Sequence, residues 1–225
     1  MREFVDLGLK PKDETAKESM LQTAKALGYS AVGFEKMSSD IIDVVNRVDL
    51  HPGNQNELGK QLRKLRRKTE VIVVHCGNKS VARQAAHDHR VDLIRFPVNG
   101  EPKKRLYLDR RQAGMMRDSG AGFEVCIGDL LVNDRHLLEK RIVAVRKSLD
   151  IAIKYGLPVV ASSGATDKFG LRDPHGIAAL MSLLGVDHEP ALGMVSTNPT
   201  RLVKDNREKL KNSYVIPGVW VIETE

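Results

Sequence analysis

Apolar residues recur along this chain with two alternating periods, one typical of strands and one typical of helices. Short runs rich in Val, Ile and Leu predict buried parallel strands; they span residues 3–9, 31–37, 70–75, 91–96, 122–128 and 158–162. Apolar residues spaced by three and four, or capped segments between these runs, predict helices; they span about 13–28, 56–68, 79–87, 109–119 and 136–155. Residues 41–48 are apolar but short, and fit either a helical turn or an extra strand.

The last third of the chain continues the alternation. Asp173 is a suitable N-cap and Gly185 a suitable stop for a helix over residues 177–184. A helix is predicted over 189–195, then a break at Asn198-Pro199, then a basic helix up to about residue 211. Residues 214–222 predict a final strand, disturbed by Pro217-Gly218.

So many strand and helix repeats predict an α/β fold, either a doubly wound sheet or a β/α barrel. A TIM barrel typically needs about 250 residues, so a barrel of 225 residues would be trimmed or irregular. No Gly, Ser or Pro-rich linker divides the sequence, and we predict one domain over residues 1–225.

Residues 158–185 combine a buried strand, a loop of small residues and a capped helix. Ser163, Gly164 and Ala165 end the strand, and Lys168 and Arg172 follow in the loop. Small residues at the carboxyl end of a strand allow a ligand or another backbone to approach, and α/β proteins place their sites at this end.

The chain is basic and poor in aromatic residues. Lys and Arg number 36 against 29 Asp and Glu, giving a net charge of +7, which suits an anionic partner. With five Phe, four Tyr and one Trp, the composition favours phosphate contact over base stacking if that partner is a nucleic acid. Six of the nine residues from Lys60 to Lys68 are basic and none is acidic; this segment is either a solvated helix face or a nucleic-acid contact.

Several chemistries lack their sequence signatures. There is no GxxxxGK[ST] loop, no dinucleotide fingerprint opening a helix and no GxSxG, which argues against nucleotide hydrolysis and serine esterase chemistry. Cys76 and Cys126 have no CxxC spacing and are predicted to be buried reduced thiols. No signal sequence and no apolar run of about 20 residues occur, so we predict a cytoplasmic protein.

Candidate metal ligands are sparse. His87-Asp88-His89 has the spacing of a metal pair, but a solvated helix end is the favoured interpretation. Polar residues at strand ends are too few to define a metal site; they are Asp6, Glu35, His75, Arg95 and Asp167. His175 is either a base, an RNA contact or plain surface, and Ser162-Ser163 is predicted to make loop hydrogen bonds.

Local motifs throughout the chain resemble one family. They are VDLGL at 5–9, Ile94-Arg95-Phe96, LDRR at 108–111, KYGLPVVASSGA at 154–165, Leu171-Arg172 with Pro174, and STNP at 196–199. The chain resembles the archaeal ribonuclease P protein component 3 family, the counterpart of the thirty-kilodalton eukaryotic subunit.

This resemblance implies a TIM-barrel-like fold related to PHP metal hydrolases. It implies a subunit of ribonuclease P, which removes the 5′ leader from precursor tRNA with RNA as the catalyst, so the isolated chain would be non-catalytic. Implied partners are the ribonuclease P RNA, a small ferredoxin-like subunit forming a heterotetramer with this chain, other ribonuclease P proteins and, indirectly, precursor tRNA. The holoenzyme would need Mg²⁺, while this chain would bind no cofactor, no metal and no membrane.

Where PHP enzymes carry HxH after the first strand, this chain has Asp6-Leu7-Gly8, consistent with lost metal chemistry. We predict RNA phosphate contacts for six residues: Arg95, Arg110, Arg111, Lys168, Arg172 and Arg201. One alternative is a PHP-like metal-dependent phosphoesterase using Asp6, Glu35, His75 and either Asp173 or His175. Another is a protein-interaction module docking through exposed helices or a barrel edge near Trp220.

Overall fold

The computed structural model describes residues 2–35, 38–98, 106–211, 213–216 and 219–220. The strands are β1 (Val5–Asp6), β2 (Ala31–Phe34), β3 (Asp43–Leu50), β4 (Val71–His75), β5 (Leu93–Arg95), β6 (Gly122–Cys126), β7 (Val159–Ser162), β8 (Tyr214–Ile216) and β9 (Val219–Trp220). The helices are α1 (Glu14–Ala26), α2 (Gln55–Leu65), α3 (Lys79–His87), α4 (Arg110–Ser119), α5 (Arg135–Lys154), α6 (Pro174–Leu183), α7 (His188–Gly193) and α8 (Thr197–Leu210), with a 3₁₀ turn at Ile127–Leu130.

Seven strands form one parallel sheet in the order of the sequence, β1 to β7. Residues 194–195 lie between the two ends of this sheet. The amide of Val5 donates to the carbonyl of Val195 at 2.9 Å, and the amide of Ala161 donates to the carbonyl of Met194 at 2.9 Å. The sheet is therefore a nearly closed barrel, and the barrel alternative is confirmed over the doubly wound sheet.

The apolar positions separate into two layers because successive side chains of a strand point to opposite faces. Val5, Val45, Val73, Leu93 and Val160 share one buried cluster inside the barrel. Residues at the intervening positions, such as Ile72, Val74 and Ile94, belong to a second cluster under the surrounding helices. The side chains that fill the barrel above the inner apolar cluster are polar, and they are described below.

Helix α8 closes the amino-terminal end of the barrel. Val203 joins the inner apolar cluster. Asn206 Nδ2 donates to Asp92 Oδ1 at 2.7 Å and to the carbonyl of Glu70 at 2.8 Å. Arg207 forms ion pairs with Asp43, at 2.7 Å, and with Glu70. These contacts tie the helix to the starts of three strands.

The structure changes the sequence predictions for residues 198–199 and 214–222, and it resolves the ambiguity over residues 41–48. Residues 41–48 contribute the extra strand β3 rather than a helical turn. The break predicted at Asn198-Pro199 is wrong, because α8 begins at Thr197 and both residues lie in its first turn, where proline is tolerated.

The predicted strand over 214–222 is instead two short antiparallel strands, β8 and β9, and residues 217–218 and 221–222 lie outside the described residues. The predicted end of the second strand, residues 36–37, also lies outside them.

Candidate functional site

A charged network fills the carboxyl-terminal end of the barrel, where TIM barrels place their sites. Arg47 on β3 is only 4% exposed. Its Nη2 donates to Glu124 Oε2 on β6 at 2.9 Å, and its Nη1 bonds Glu124 Oε1 and the carbonyl of Leu7. Its Nε donates to Asp49 Oδ1 at 2.7 Å. One guanidinium therefore links β1, β3 and β6 across the barrel.

The carboxylates around Arg47 are held in their ionised form. Burial opposes ionisation of Glu124, but the charge and hydrogen bonds of Arg47 outweigh it and lower the pKa of Glu124. Burial likewise opposes ionisation of Asp49, but the bond to His75 and the charge of Arg47 hold the pKa of Asp49 well below its usual value. The network is an internally neutralised cluster of charges.

Histidines and a lysine extend the network towards solvent. His75 Nε2 and Lys10 Nζ each lie 3.0 Å from Asp49 Oδ2. The ring of His51 stacks on that of His75 with centroids 4.1 Å apart. Cavities of about 570 Å³ and 340 Å³ open beside His51, and the first of them is also lined by Arg47 and Asp49.

Asp6 and Gly8 have structural roles at the junction of β1 and β7. Asp6 is fully buried, and its Oδ1 accepts the amides of Gly8 at 3.0 Å and Ser163 at 3.1 Å. Burial raises the pKa of this carboxyl. A Cβ on Gly8 would collide with the hydroxyl of Ser162, which itself donates to Glu124 at 2.8 Å. No ligand side chain would fit at position 8.

The residues of the phosphoesterase alternative are not assembled into a site. One oxygen of Asp6, Oδ1, accepts two backbone amides and His75 contacts Asp49, while Glu35 and His175 are exposed. Within the described ranges, no group of three or more His, Cys, Asp or Glu side chains is arranged to hold a metal. His87 and His89 are exposed at the end of α3, and His89 Nδ1 lies 3.1 Å from the carbonyl of Ser119.

Two of the six predicted RNA contacts sit together on α4. Arg110 and Arg111 are exposed in its first turn, behind a capping box formed by Asp109 and Gln112. Neither makes an ion pair with any residue that the structure describes. Both side chains are exposed, as contact with an anion requires.

Lys168 and Arg172 lie in the loop after β7. Lys168 is exposed, with its Nζ 5.2 Å from the ring centroid of Phe169. Arg172 is half-buried, and its Nη1 donates to the carbonyls of Phe169 at 2.9 Å and Leu171 at 2.8 Å. Arg172 thus helps to fix the shape of the loop.

The last two predicted contacts lie elsewhere. Arg201 is exposed on α8, beside a cavity of about 130 Å³ at the amino-terminal end of the barrel. Arg95 is 8% exposed inside the opposite end, where its Nη2 donates to Asp129 Oδ2 at 2.6 Å. An RNA contact by Arg95 stays a prediction, but its burial and its ion pair argue against one.

The basic segment of α2 divides into two kinds of residue. Arg66 is structural, because it donates to Asp92 at 2.6 Å and to three backbone carbonyls. The other five are exposed and make no ion pair within the described part of the chain; they are Lys60, Arg63, Lys64, Arg67 and Lys68. Helical spacing could have separated Arg66 from the others, since it follows the buried Leu62 by four residues.

Comparison with known proteins decides the family. A family model described as "RNase P subunit p30" matches residues 3–211. The chain belongs to this family. The p30-family assignment covers the whole barrel, including both ends and α8.

Curated relatives of the p30-family chain are archaeal. The "Ribonuclease P protein component 3" of Methanococcoides burtonii is 26% identical over 234 residues, covering 99% of this chain and 95% of the relative. That of Methanosarcina barkeri is 26% identical, covering 95% and 92%.

Among solved structures, a chain of an archaeal ribonuclease P cryo-EM structure with mature tRNA superposes with a TM-score of 0.83 at 20% identity, covering 98% and 99% of the two chains. An Aspergillus niger ochratoxinase gives a TM-score of 0.63 at 9% identity, covering 90% of this chain and 71% of that one. Both likenesses concern the fold alone and agree with a TIM-barrel-like architecture.

Both cysteines are buried and free, as predicted, and burial raises the pKa of the Cys76 thiol to about 12 and of Cys126 to about 11. None of the helices in the described ranges is long and apolar enough to cross a bilayer.

Proposed function

We propose that this chain is a protein subunit of ribonuclease P, which cleaves the 5′ leader from precursor tRNA. The observation that carries the proposal is the p30-family match over residues 3–211. The exposed cations of α2, α4 and the loop after β7 support RNA binding, because basic side chains release counterions from RNA phosphates.

The barrel interior supports a scaffold role within that particle. The end of the barrel where a catalytic site would form holds Arg47, Asp49 and Glu124 bound to one another. Position 8 has no room for a ligand side chain. That the RNA of the holoenzyme carries the catalysis, and that the holoenzyme needs Mg²⁺, both stay predictions of the resemblance.

The assembly of the particle is part of the same proposal. The partners are the ribonuclease P RNA, a small ferredoxin-like subunit in a heterotetramer with this chain, and other ribonuclease P proteins, with precursor tRNA held indirectly. A cytoplasmic location and one domain over residues 1–225 likewise stay predictions.

Salt dependence of RNA binding tests the proposed contacts. Lys168→Ala and Arg172→Ala should each make the negative slope of log K against log salt less steep by about 0.7–0.9, because each removes one phosphate contact. Both variants should also weaken the activity of the reconstituted particle at modest Mg²⁺. Lys154→Ala is the matched control, since Lys154 is an exposed lysine on α5, away from this loop.

One result would remove two of the proposed RNA contacts, and another would contradict the proposed function itself. Unchanged slopes and activity for both loop variants would remove Lys168 and Arg172 from the RNA interface. Stoichiometric Zn²⁺ or Mn²⁺ in the purified chain, together with turnover of a phosphomonoester, would instead support the phosphoesterase alternative.

A further inference from the structure

Phe169 is an aromatic residue displayed to solvent directly after Lys168 and three residues before Arg172. It is 80% exposed and lies in the loop of residues 163–173 that follows β7. Single exposed apolar residues are common on protein surfaces, so exposure alone assigns Phe169 no role. The ordered loop and the charged side chains around the ring are the features that indicate a role for Phe169.

The loop that displays Phe169 is held by hydrogen bonds at its base. The amide of Lys10 donates to the carbonyl of Ala165 at 2.8 Å, and that of Lys12 to the carbonyl of Thr166 at 3.2 Å. The hydroxyl of Tyr29 donates to the carbonyl of Arg172 at 2.7 Å. Both ends of the loop are therefore fixed to the barrel and its helices.

The tip of the loop is equally ordered. Asp167 Oδ1 accepts the amides of Phe169 and Gly170, each at 3.1 Å, and Asp167 Oδ2 pairs with Lys12 at 3.2 Å. Arg172 donates to the carbonyl of Phe169 at 2.9 Å. An aromatic ring on such a loop loses little conformational entropy on binding, which is what an anchor residue needs.

The charges beside the ring indicate the kind of partner. Lys168 Nζ lies 5.2 Å from the centroid of Phe169, within cation–π range, and Arg172 lies three residues further on. Nucleic acids offer a planar base and negative phosphates together, whereas an apolar protein pocket would have to desolvate these cations.

We propose that Phe169 stacks on an unpaired nucleobase of the RNA, while Lys168 and Arg172 bind the flanking phosphates. The proposal rests on the proposed ribonuclease P function and adds a base contact to it. The small number of aromatic residues in the sequence argued against base stacking. One exposed ring is nevertheless sufficient to stack on one base.

Affinity and salt dependence together test this contact in the full chain with its ribonuclease P RNA. Phe169→Ala should weaken binding about 5- to 150-fold, the range for losing one stacked base. Its slope of log K against log salt should equal that of wild type, because no phosphate contact is lost. Lys168→Ala should instead make the negative slope less steep.

Phe169→Leu separates stacking from apolar burial. A base stacks on an aromatic ring, so the leucine variant should bind about as weakly as the alanine variant. Wild-type affinity for Phe169→Leu would mean that an apolar pocket receives the side chain, and would overturn the proposal.

A fluorescence measurement gives an independent reading. The chain has a single tryptophan, Trp220, so Phe169→Trp in a Trp220→Phe background places the only indole in the loop. Stacking on a base should quench its emission on titration with the RNA, whereas a blue shift without quenching would indicate a protein pocket. The Trp220→Phe variant alone serves as the binding control.

The results of these experiments distinguish failure of the stacking contact from failure of the proposed RNA-binding role. If Phe169→Ala binds like wild type while wild-type binding remains salt-dependent, the stacking contact is overturned and the RNA-binding function stands. If the wild-type chain shows no salt-dependent RNA binding, the stacking contact and the proposed RNA-binding role of this chain are both overturned.

Discussion

At the scale of single residues, Arg47 is the side chain on which the barrel interior depends. It is buried with Glu124 and Asp49 as its counter-ions. Removing one partner of a buried ion pair leaves an uncompensated charge and typically costs about 3–5 kcal/mol. We expect Arg47→Met to lower the free energy of unfolding, measured in urea, by about that amount.

The control for this prediction is an exposed arginine. Arg67→Met on the surface beyond α2 should change the free energy of unfolding by no more than about 0.5 kcal/mol. Removing both charges with Arg47→Met and Glu124→Leu should recover much of the loss, because a buried pair can be replaced by apolar residues at little cost. If Arg47→Met is as stable as wild type, the network does not hold the barrel together.

The sequence contained the signal for this network only in part. Val45, Arg47 and Asp49 alternate along β3 and share one face, so a strand there places them together. Glu124 is 77 residues away from Arg47, and no local pattern links two residues on strands separated by β4 and β5. The polar residues predicted at strand ends included His75 and Arg95. They did not include Arg47 and Glu124, the ion pair that dominates the barrel interior.

At the scale of elements, helix boundaries were predictable wherever a cap marks them. Asp13 and Asp173 accept the expected amides, from Ala16 and Gly176, at the starts of α1 and α6. The start of α8 was missed because Asn198-Pro199 resembles a break, and Ser196, at the N-cap position, makes no capping hydrogen bond with its side chain. Its place at the base of the barrel depends on contacts between distant residues, which periodicity does not report.

Helix α8 gives a prediction at this scale. Asn206 is buried and satisfies Asp92 Oδ1 and the carbonyl of Glu70, both at the base of the barrel. Asn206→Ala leaves both acceptors without this donor, so we expect a loss of about 1–3 kcal/mol in the free energy of unfolding. Amide hydrogen exchange should report faster opening of α8 and of the starts of β4 and β5.

Lys204→Ala is the matched control, since Lys204 is exposed on the same helix. It should stay within about 0.5 kcal/mol of wild type. Equal stability of Asn206→Ala and Lys204→Ala would mean that α8 rests on the barrel through its apolar contacts alone.

At the scale of the whole molecule, the two ends of the barrel differ in what they offer. One end is closed by α8, with Arg201 on its surface, and the other holds the charged network. Lys168 in the loop after β7 and the arginines at the start of α4 add exposed cations to the outside. The exposed basic groups of the barrel therefore lie in several separate places, which agrees with the proposed binding to an extended RNA surface.

Because the internal network joins strands from all round the barrel, its titration should affect the unfolding of the whole molecule. The pKa of Glu124 is lowered in the folded protein by Arg47, from a usual value of 4.5. A lowered folded pKa means that Glu124 contributes its stability above about pH 4.5 and loses it as pH falls through the folded value. Glu124→Gln mimics the protonated form at every pH.

We therefore expect Glu124→Gln to be less stable than wild type at pH 7, with a difference in the free energy of unfolding that stays constant down to about pH 5. Below about pH 4.5 the difference should shrink by up to about 1.4 kcal/mol per pH unit, the limit for one proton. Urea unfolding of both proteins at a series of pH values measures this directly. A difference in the free energy of unfolding that stays the same from pH 7 to pH 3 would contradict this prediction. It would show that the Glu124 side chain stabilises the barrel through its shape and not through its charge, because only an ionised Glu124 beside Arg47 makes the difference depend on pH.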